Sequence, residues 1–110
     1  MESPLEVDFQ GVEDSPPIHD AIDAHISKLE KLFGRVTACR VVIKGPSGHH
    51  KKGGQFEIKI HLLLPDEREV NVERTPTEDE RYSDLNFALS DAFKRARRQM
   101  QEQVSRLRGE

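Results

Sequence analysis

Cysteine, aromatic residues and long apolar runs are scarce in this 110-residue sequence. The single cysteine, Cys39, excludes an internal disulfide and is typical of a reducing compartment. No apolar run approaches the length that spans a membrane, and residues 1–4 lack the basic and apolar segments of a secretory signal. We therefore expect a soluble, cytoplasmic protein with no membrane as a partner.

Motifs of catalysis are absent as well. The sequence has no glycine-rich phosphate-binding motif and no Ser/His/Asp arrangement, and its aromatic content of 5% is too low for a base-stacking platform. Glu78, Asp79 and Glu80 lie in a polar stretch, without the apolar surroundings that paired-carboxylate catalysis needs. We expect no catalytic residue, no enzymatic activity, no cofactor and no small-molecule substrate.

The charges are segregated along the chain, although the net charge is only −3. Residues 1–35 contain 8 acids and 3 bases, and residues 66–83 contain 7 acids and 3 bases. In contrast, residues 36–65 contain 1 acid and 5 bases, and residues 84–110 contain 4 acids and 6 bases. Two separate basic regions of this kind can direct binding to a polyanion despite the negative total.

Apolar residues that alternate with polar ones predict four strands. The predicted strands cover residues 5–9, 36–44, 56–64 and 69–73. Asp66 and Glu67 signal a tight turn between the last two strands. Glycine-rich residues 45–54 form a basic loop between the second and third strands, and residues 75–83 form an acidic loop.

Apolar residues at helical spacing predict two helices. The first helix begins at Ser15, which we expect to cap free amides with its side chain, and it ends at Gly34, in the left-handed C′ position. The second helix covers about Asp84–Leu107. The predicted fold class is α+β, a two-layer β-α-β-β-β-α domain over residues 1–110. A four-stranded mixed sheet, with its first two strands parallel, carries both helices on one face and leaves the other face open.

Two groups of residues are candidates for RNA binding. They are His49, His50, Lys51 and Lys52 in the basic loop, and Lys94, Arg95, Arg97 and Arg98 on the second helix. Such side chains neutralise phosphates, and arginine also stacks on bases. A run of basic residues on a helix can equally be a solvated face.

Histidine and cysteine allow further interpretations. The pair His49 and His50 suits RNA stacking or a metal, but Cys39 and His61 have no recognisable ligand spacing, so no metal site is predicted. Cys39 alternates with core residues, which favours a buried inert thiol over a nucleophile. His61 is expected on the open face of the sheet.

The order of elements, the His/Lys loop and the segment 88–100, ALSDAFKRARRQM, together resemble the ribosome hibernation promoting factor family, also called ribosome-associated inhibitors or sigma-54 modulation proteins. The resemblance extends from Leu5 to about Leu107. It implies a non-enzymatic bacterial protein that binds ribosomal RNA in the decoding region of the small ribosomal subunit. There it would exclude messenger and transfer RNA and hold ribosomes inactive during stress.

The last helix of this family has a Lys-Leu-x-Arg-Gln-Leu core that corresponds to residues 95–100, with Arg95 and Arg98 at its basic positions. The family then continues with a basic cluster, whereas residues 101–104 read Gln-Glu-Gln-Val. Long members also carry a C-terminal extension that pairs ribosomes. Because this chain stops at Glu110, the resemblance implies the short form, which we expect to be a monomer when free.

A second interpretation is a diverged protein-interaction module of the same fold that does not bind ribosomes. The acidic balance and the sequence of residues 101–104 favour it. The ribosomal interpretation predicts that Arg95→Glu combined with Arg98→Glu abolishes co-sedimentation with ribosomes. The alternative predicts no RNA affinity at physiological salt.

Overall fold

The computed structural model describes residues 5–45, 56–73, 81 and 84–107, and of residues 105–107 it describes the backbone only. The elements in chain order are β1 (Leu5–Gln10), α1 (Pro16–Phe33), β2 (Ala38–Lys44), β3 (Glu57–Leu63), β4 (Glu69–Val72) and α2 (Leu85–Leu107). This order confirms the predicted β-α-β-β-β-α arrangement. The predicted loops at 45–54 and 75–83 lie almost entirely outside the described residues.

The four strands form one mixed sheet in the order β1-β2-β3-β4. β1 runs parallel to β2, with Val7 opposite Val41, because α1 carries the chain back to the start of the sheet. The pairs β2–β3 and β3–β4 are antiparallel, with Val41 opposite Ile60 and Leu62 opposite Val70. The sheet therefore has the predicted topology, with β1 and β4 at its edges.

One face of the sheet and both helices enclose the core. Ile22 of α1, Ile43 of β2 and Ile58 of β3 are each fully buried. Burial of one such side chain contributes about 1.5–3 kcal/mol to folding. The other core residues are Ile18, Ile26, Leu29, Val36, Cys39, Val41, Ile60, Leu62, Leu64, Val70, Val72, Ala88, Leu89, Ala92, Phe93, Ala96 and Met100. Because both helices belong to one core, they cover the same face of the sheet.

The two ends of α1 differ in detail from the prediction. Ser15 is the N-cap, but its side chain makes no capping hydrogen bond. Pro16 and Pro17 have no amide hydrogen, and the Ser15 carbonyl accepts hydrogen bonds from the next two amides, those of Ile18 and His19, at 3.0 and 3.1 Å. At the other end, Gly34 has the positive φ that the prediction required, 94°, but its ψ of −161° lies outside the left-handed helical range, in a region that essentially only glycine adopts.

The turn between β3 and β4 has an unusual backbone. Asp66 and Glu67 are consecutive non-glycine residues with positive φ, 66° and 61°. This confirms the tight turn predicted at these two residues. It also places two side chains in a conformation that costs about 1–2 kcal/mol for an ordinary L-residue.

Helix α2 covers the outer edge of β4 with two glutamine side chains. The Gln99 amide nitrogen donates to the Asn71 carbonyl at 2.6 Å, and its oxygen accepts from the Asn71 amide at 3.1 Å. The Gln103 amide nitrogen donates to the Glu69 carbonyl at 2.7 Å. An edge strand has unpaired polar groups that invite association with another strand. These glutamines satisfy both backbone groups of Asn71 and the carbonyl of Glu69, and they hold α2 antiparallel to β4.

Candidate nucleic-acid interface

A groove of about 510 Å³ runs between α1 and α2 on the outer side of the helical layer. We call it the interhelical groove. Its floor contains Leu29 and Phe93, both 3% exposed. Leu32 lies at the rim and is 54% exposed, which is unusual for a leucine in the described part of the chain. The groove thus combines an apolar floor with an open side.

Four basic side chains surround this apolar floor. Lys28 and Lys31 come from α1, three residues apart, and Lys94 and Arg97 come from α2 with the same spacing. Residues three apart on a helix lie on one face, so each helix presents two cations to the groove. All four are exposed, and no carboxylate is among the described residues that line the groove. The site is uniformly positive on a protein with a net charge of −3.

His25 closes one part of the groove by stacking on Phe93. The two rings lie 4.8 Å apart and are nearly parallel, with an interplanar angle of 7°. Burial lowers the pKa of His25, and the nearby charge of Lys28 lowers it further. The neutral imidazole is therefore favoured at neutral pH and packs as an aromatic ring.

The structure separates the four basic residues predicted on α2. Lys94 and Arg97 line the groove, and Arg98 is exposed on the same helix. Arg95 instead forms an ion pair with Asp91 one turn earlier, at 3.0 Å. That carboxylate offsets the charge of Arg95, although Arg95 is one of the two basic positions carried over from the family motif. The loop candidates His49, His50, Lys51 and Lys52 lie outside the described residues.

The opposite side of the molecule, the open face of the sheet, has a mixed charge. A concave surface of about 400 Å³ there is lined by Arg40, Lys44 and Lys59, and also by Glu57 and Glu73. Lys44 is directly opposite Glu57 in the register of β2 and β3. His61 lies on this face, as predicted, and its Nε2 is 3.6 Å from a Glu69 carboxylate oxygen. Interleaved carboxylates make this face a weaker attractor of polyanions than the interhelical groove.

Cys39 has the environment predicted for an inert thiol. It is 3% exposed, and burial, with a smaller contribution from Asp23, raises its pKa to about 12. The thiolate that would act as a nucleophile or metal ligand is thus disfavoured.

The described residues contain neither a metal-binding cluster nor a helix that could span a membrane. Within ranges 5–45, 56–73 and 84–107, no three His, Cys, Asp or Glu side chains are grouped so that they could hold a metal ion. In that same part of the chain, neither helix combines the length and apolar character needed to cross a membrane.

One protein family matches almost the whole chain. The family model described as sigma 54 modulation protein / S30EA ribosomal protein matches residues 5–108. The chain belongs to this family. None of the curated proteins matches the sequence.

Two solved structures have a similar fold. The crystal structure of the Thermus thermophilus Protein Y N-terminal domain is 23% identical, with a TM-score of 0.64, over 90% of this chain and 93% of that one. A ribosomal subunit interface protein from Coxiella burnetii is 10% identical, with a TM-score of 0.66, over 93% of this chain and 98% of that one. At these identities the similarity shows a shared fold.

The contribution of α1 to the groove was not predicted from the sequence. Lys28 and Lys31 were visible as a pair three residues apart, but nothing in the sequence shows that they lie beside Lys94 and Arg97. Gln99 belongs to the family motif, and its side chain bonds β4 rather than facing a ligand. Only the packing of α1 against α2 and of α2 along β4 distinguishes these roles.

Proposed function

We propose that this protein binds the small ribosomal subunit at the decoding region and blocks the binding of messenger and transfer RNA. It thereby acts as a hibernation factor in the bacterial cytoplasm during stress. The observation that carries the proposal is the interhelical groove, where Lys28, Lys31, Lys94 and Arg97 converge without a carboxylate among the described lining residues. Membership of the sigma 54 modulation / S30EA ribosomal protein family supports a ribosomal partner.

The groove is suited to a folded RNA surface. Each cation that neutralises a phosphate releases condensed counterions, so affinity rises with the number of contacts and falls as salt increases. Arg97 can bind a phosphate with two parallel hydrogen bonds, whereas the lysines act as mobile point charges. Arg98, exposed on the adjoining surface of α2, extends the positive region. We propose that His49, His50, Lys51 and Lys52 add contacts from the basic loop, and that Arg95 adds a weaker contact because Asp91 offsets its charge.

The proposed activity is occlusion of a site on ribosomal RNA. It requires a positively charged surface of fixed shape and no bond making or breaking, so the protein acts without catalysis and without a cofactor. We propose that residues 1–110 act as one domain and that the free protein is a monomer. The groove is built on two helices, which hold its four cations side by side.

A second candidate function is a protein-interaction module of the same fold that does not bind ribosomes. The net charge of −3 and the mixed charge of the open sheet face favour it. Such a module would have no affinity for RNA at physiological salt. It would instead bind a protein through a surface other than the groove.

Sedimentation with purified bacterial small ribosomal subunits distinguishes the two functions. The protein is layered with subunits on sucrose gradients at about 50 and about 150 mM salt. We expect co-migration with the subunit that decreases as salt increases, and displacement of a labelled messenger RNA from the decoding region. Protein that stays at the top of the gradient at both salt concentrations would rule out the ribosomal function.

A further inference from the structure

The two edges of the sheet are protected to different degrees. At β4, the side chains of Gln99 and Gln103 satisfy the outward carbonyl groups of Asn71 and Glu69. At the other edge, β1 pairs with β2 on one side, and no described strand or helix hydrogen bonds its other side. Among the described elements, β1 is thus the open edge of the sheet.

The hydrogen-bonding direction of β1 shows which groups are available. The Gln10 carbonyl accepts a hydrogen bond from the Gly45 amide at 2.7 Å, on the β2 side. Neighbouring residues of a strand point their amide and carbonyl groups in opposite directions. Therefore the backbone groups of Leu5, Val7 and Phe9 point outward. An unpaired row of this kind is a template for one more strand.

The side chains of β1 specify the chemistry of that strand. Leu5, Val7 and Phe9 are only half-buried on the core side, so an added strand could cover them further with apolar residues. On the open face, Glu6 and Asp8 alternate with them. One Asp8 carboxylate oxygen accepts a hydrogen bond from the Gln10 side chain at 2.8 Å, which leaves the other oxygen for a partner. Residues 5–10 contain two acids and no lysine or arginine, and the neighbouring cations Arg40 and Lys44, opposite Glu6 and Gln10, lie on the β2 side rather than at the outer edge.

A second copy of this chain fits the edge poorly. Antiparallel pairing of β1 with its own copy about Val7 would place Glu6 directly opposite Asp8 of the copy, twice. Like charges directly opposite each other across two strands are destabilising, whereas opposite charges are stabilising. The charge pattern thus favours a strand with lysine or arginine at alternate positions.

We propose that the free edge of β1 binds an extended basic segment of another protein, in which lysine or arginine alternates with apolar residues. The segment adds a fifth strand beside β1, with its cations on the open face near Glu6 and Asp8. The proposal rests on β1 alone and does not depend on RNA binding by the interhelical groove.

The test uses the full chain and a labelled eight-residue peptide of alternating lysine and valine. Fluorescence anisotropy measures binding, and amide hydrogen exchange followed by NMR locates it. We expect protection of the Leu5, Val7 and Phe9 amides on binding. The double variant Glu6→Lys and Asp8→Lys should weaken binding about tenfold, since two attractive cross-strand pairs become repulsive.

A matched control separates strand addition from general attraction between charges. Asp20→Lys with Asp23→Lys makes the same change in charge on exposed positions of α1, and it should change affinity less than threefold. Equal weakening by both double variants, or an unchanged exchange rate at Leu5, Val7 and Phe9 in the unmodified protein with bound peptide, would overturn the proposal. So would a concentration-dependent dimer, measured by analytical ultracentrifugation, that forms through β1.

Discussion

Neutralising two cations of the interhelical groove should weaken ribosome binding by a calculable amount. The test is the double variant Lys94→Gln with Arg97→Gln. Glutamine has about the same helix propensity as lysine and arginine, and both substituted side chains are exposed. The observed binding constant varies with salt to the power of about −0.7 to −0.9 for each neutralised phosphate. At about 0.15 M salt one contact is then worth about a four- to sixfold gain in affinity. Losing two contacts should weaken binding about 15- to 30-fold.

The dependence on salt gives an independent check of the same reasoning. At about 0.05 M salt the loss should grow to about 70- to 200-fold, and the slope of log affinity against log salt should become less steep by about 1.4 to 1.8. Fluorescence anisotropy of the labelled protein with purified small subunits measures both quantities. Circular dichroism should show the same melting temperature for the variant and the unmodified protein.

The open face of the sheet provides the matched control. Lys44→Gln with Lys59→Gln removes the same charge from exposed side chains that lie among carboxylates. We expect less than a threefold change in affinity for this variant. If the sheet variant loses as much affinity as the groove variant, or if the groove variant keeps the original slope, the assignment of the groove as the RNA surface is refuted.

Three further predictions concern stability, and chemical denaturation measures each of them. Glu67→Gly should stabilise the fold by about 0.5–1 kcal/mol, because glycine adopts positive φ without strain and this outweighs its larger chain entropy; a lower denaturation midpoint would contradict it. Gln99→Ala should destabilise by about 1–2 kcal/mol, since both hydrogen bonds to Asn71 are lost, whereas exposed Gln101→Ala should cost less than about 0.5 kcal/mol. The pKa of His25 is lowered on folding, so its contribution to stability is present above the usual pKa of 6.5 and decreases as pH falls through the lowered value. His25→Gln should remove that part of the pH dependence, which begins as pH falls below the usual pKa of 6.5, and an unchanged profile would show that His25 is not its source.

The hydrogen bonds from α2 to β4 also determine which edge of the sheet can bind another protein. Gln99 and Gln103 occupy hydrogen-bonding positions that a neighbouring strand would otherwise use. Loss of Gln99 should therefore expose the Asn71 amide as well as lower stability. On the outer side of β1 no described strand or helix bonds the amides, which is why the proposed strand addition is directed to that edge.

Much of the fold follows from residue patterns that act locally. Alternation in segments such as Phe56–Leu64 predicts a strand with one buried face, and Ile58, Ile60 and Leu62 are indeed buried. Helical spacing likewise predicts α1 and α2. The connection through α1 then limits the topology, because two strands joined by a helix favour parallel pairing with each other. Details of caps were harder to predict, because the Ser15 side chain competes with its own carbonyl for the same few amides.

The sequence by itself determined the elements, their order, the buried face of each strand and the segregation of charge. Each of these depends on spacing within one element, where periods of 2 and 3.6 residues separate a buried face from a solvated one. Only the tertiary structure decided which charges act together. It brings Lys28 and Lys31 beside Lys94 and Arg97, pairs Arg95 with Asp91, and uses Gln99 to cover an edge. Such groupings depend on distances between elements far apart in the chain, which no local pattern contains.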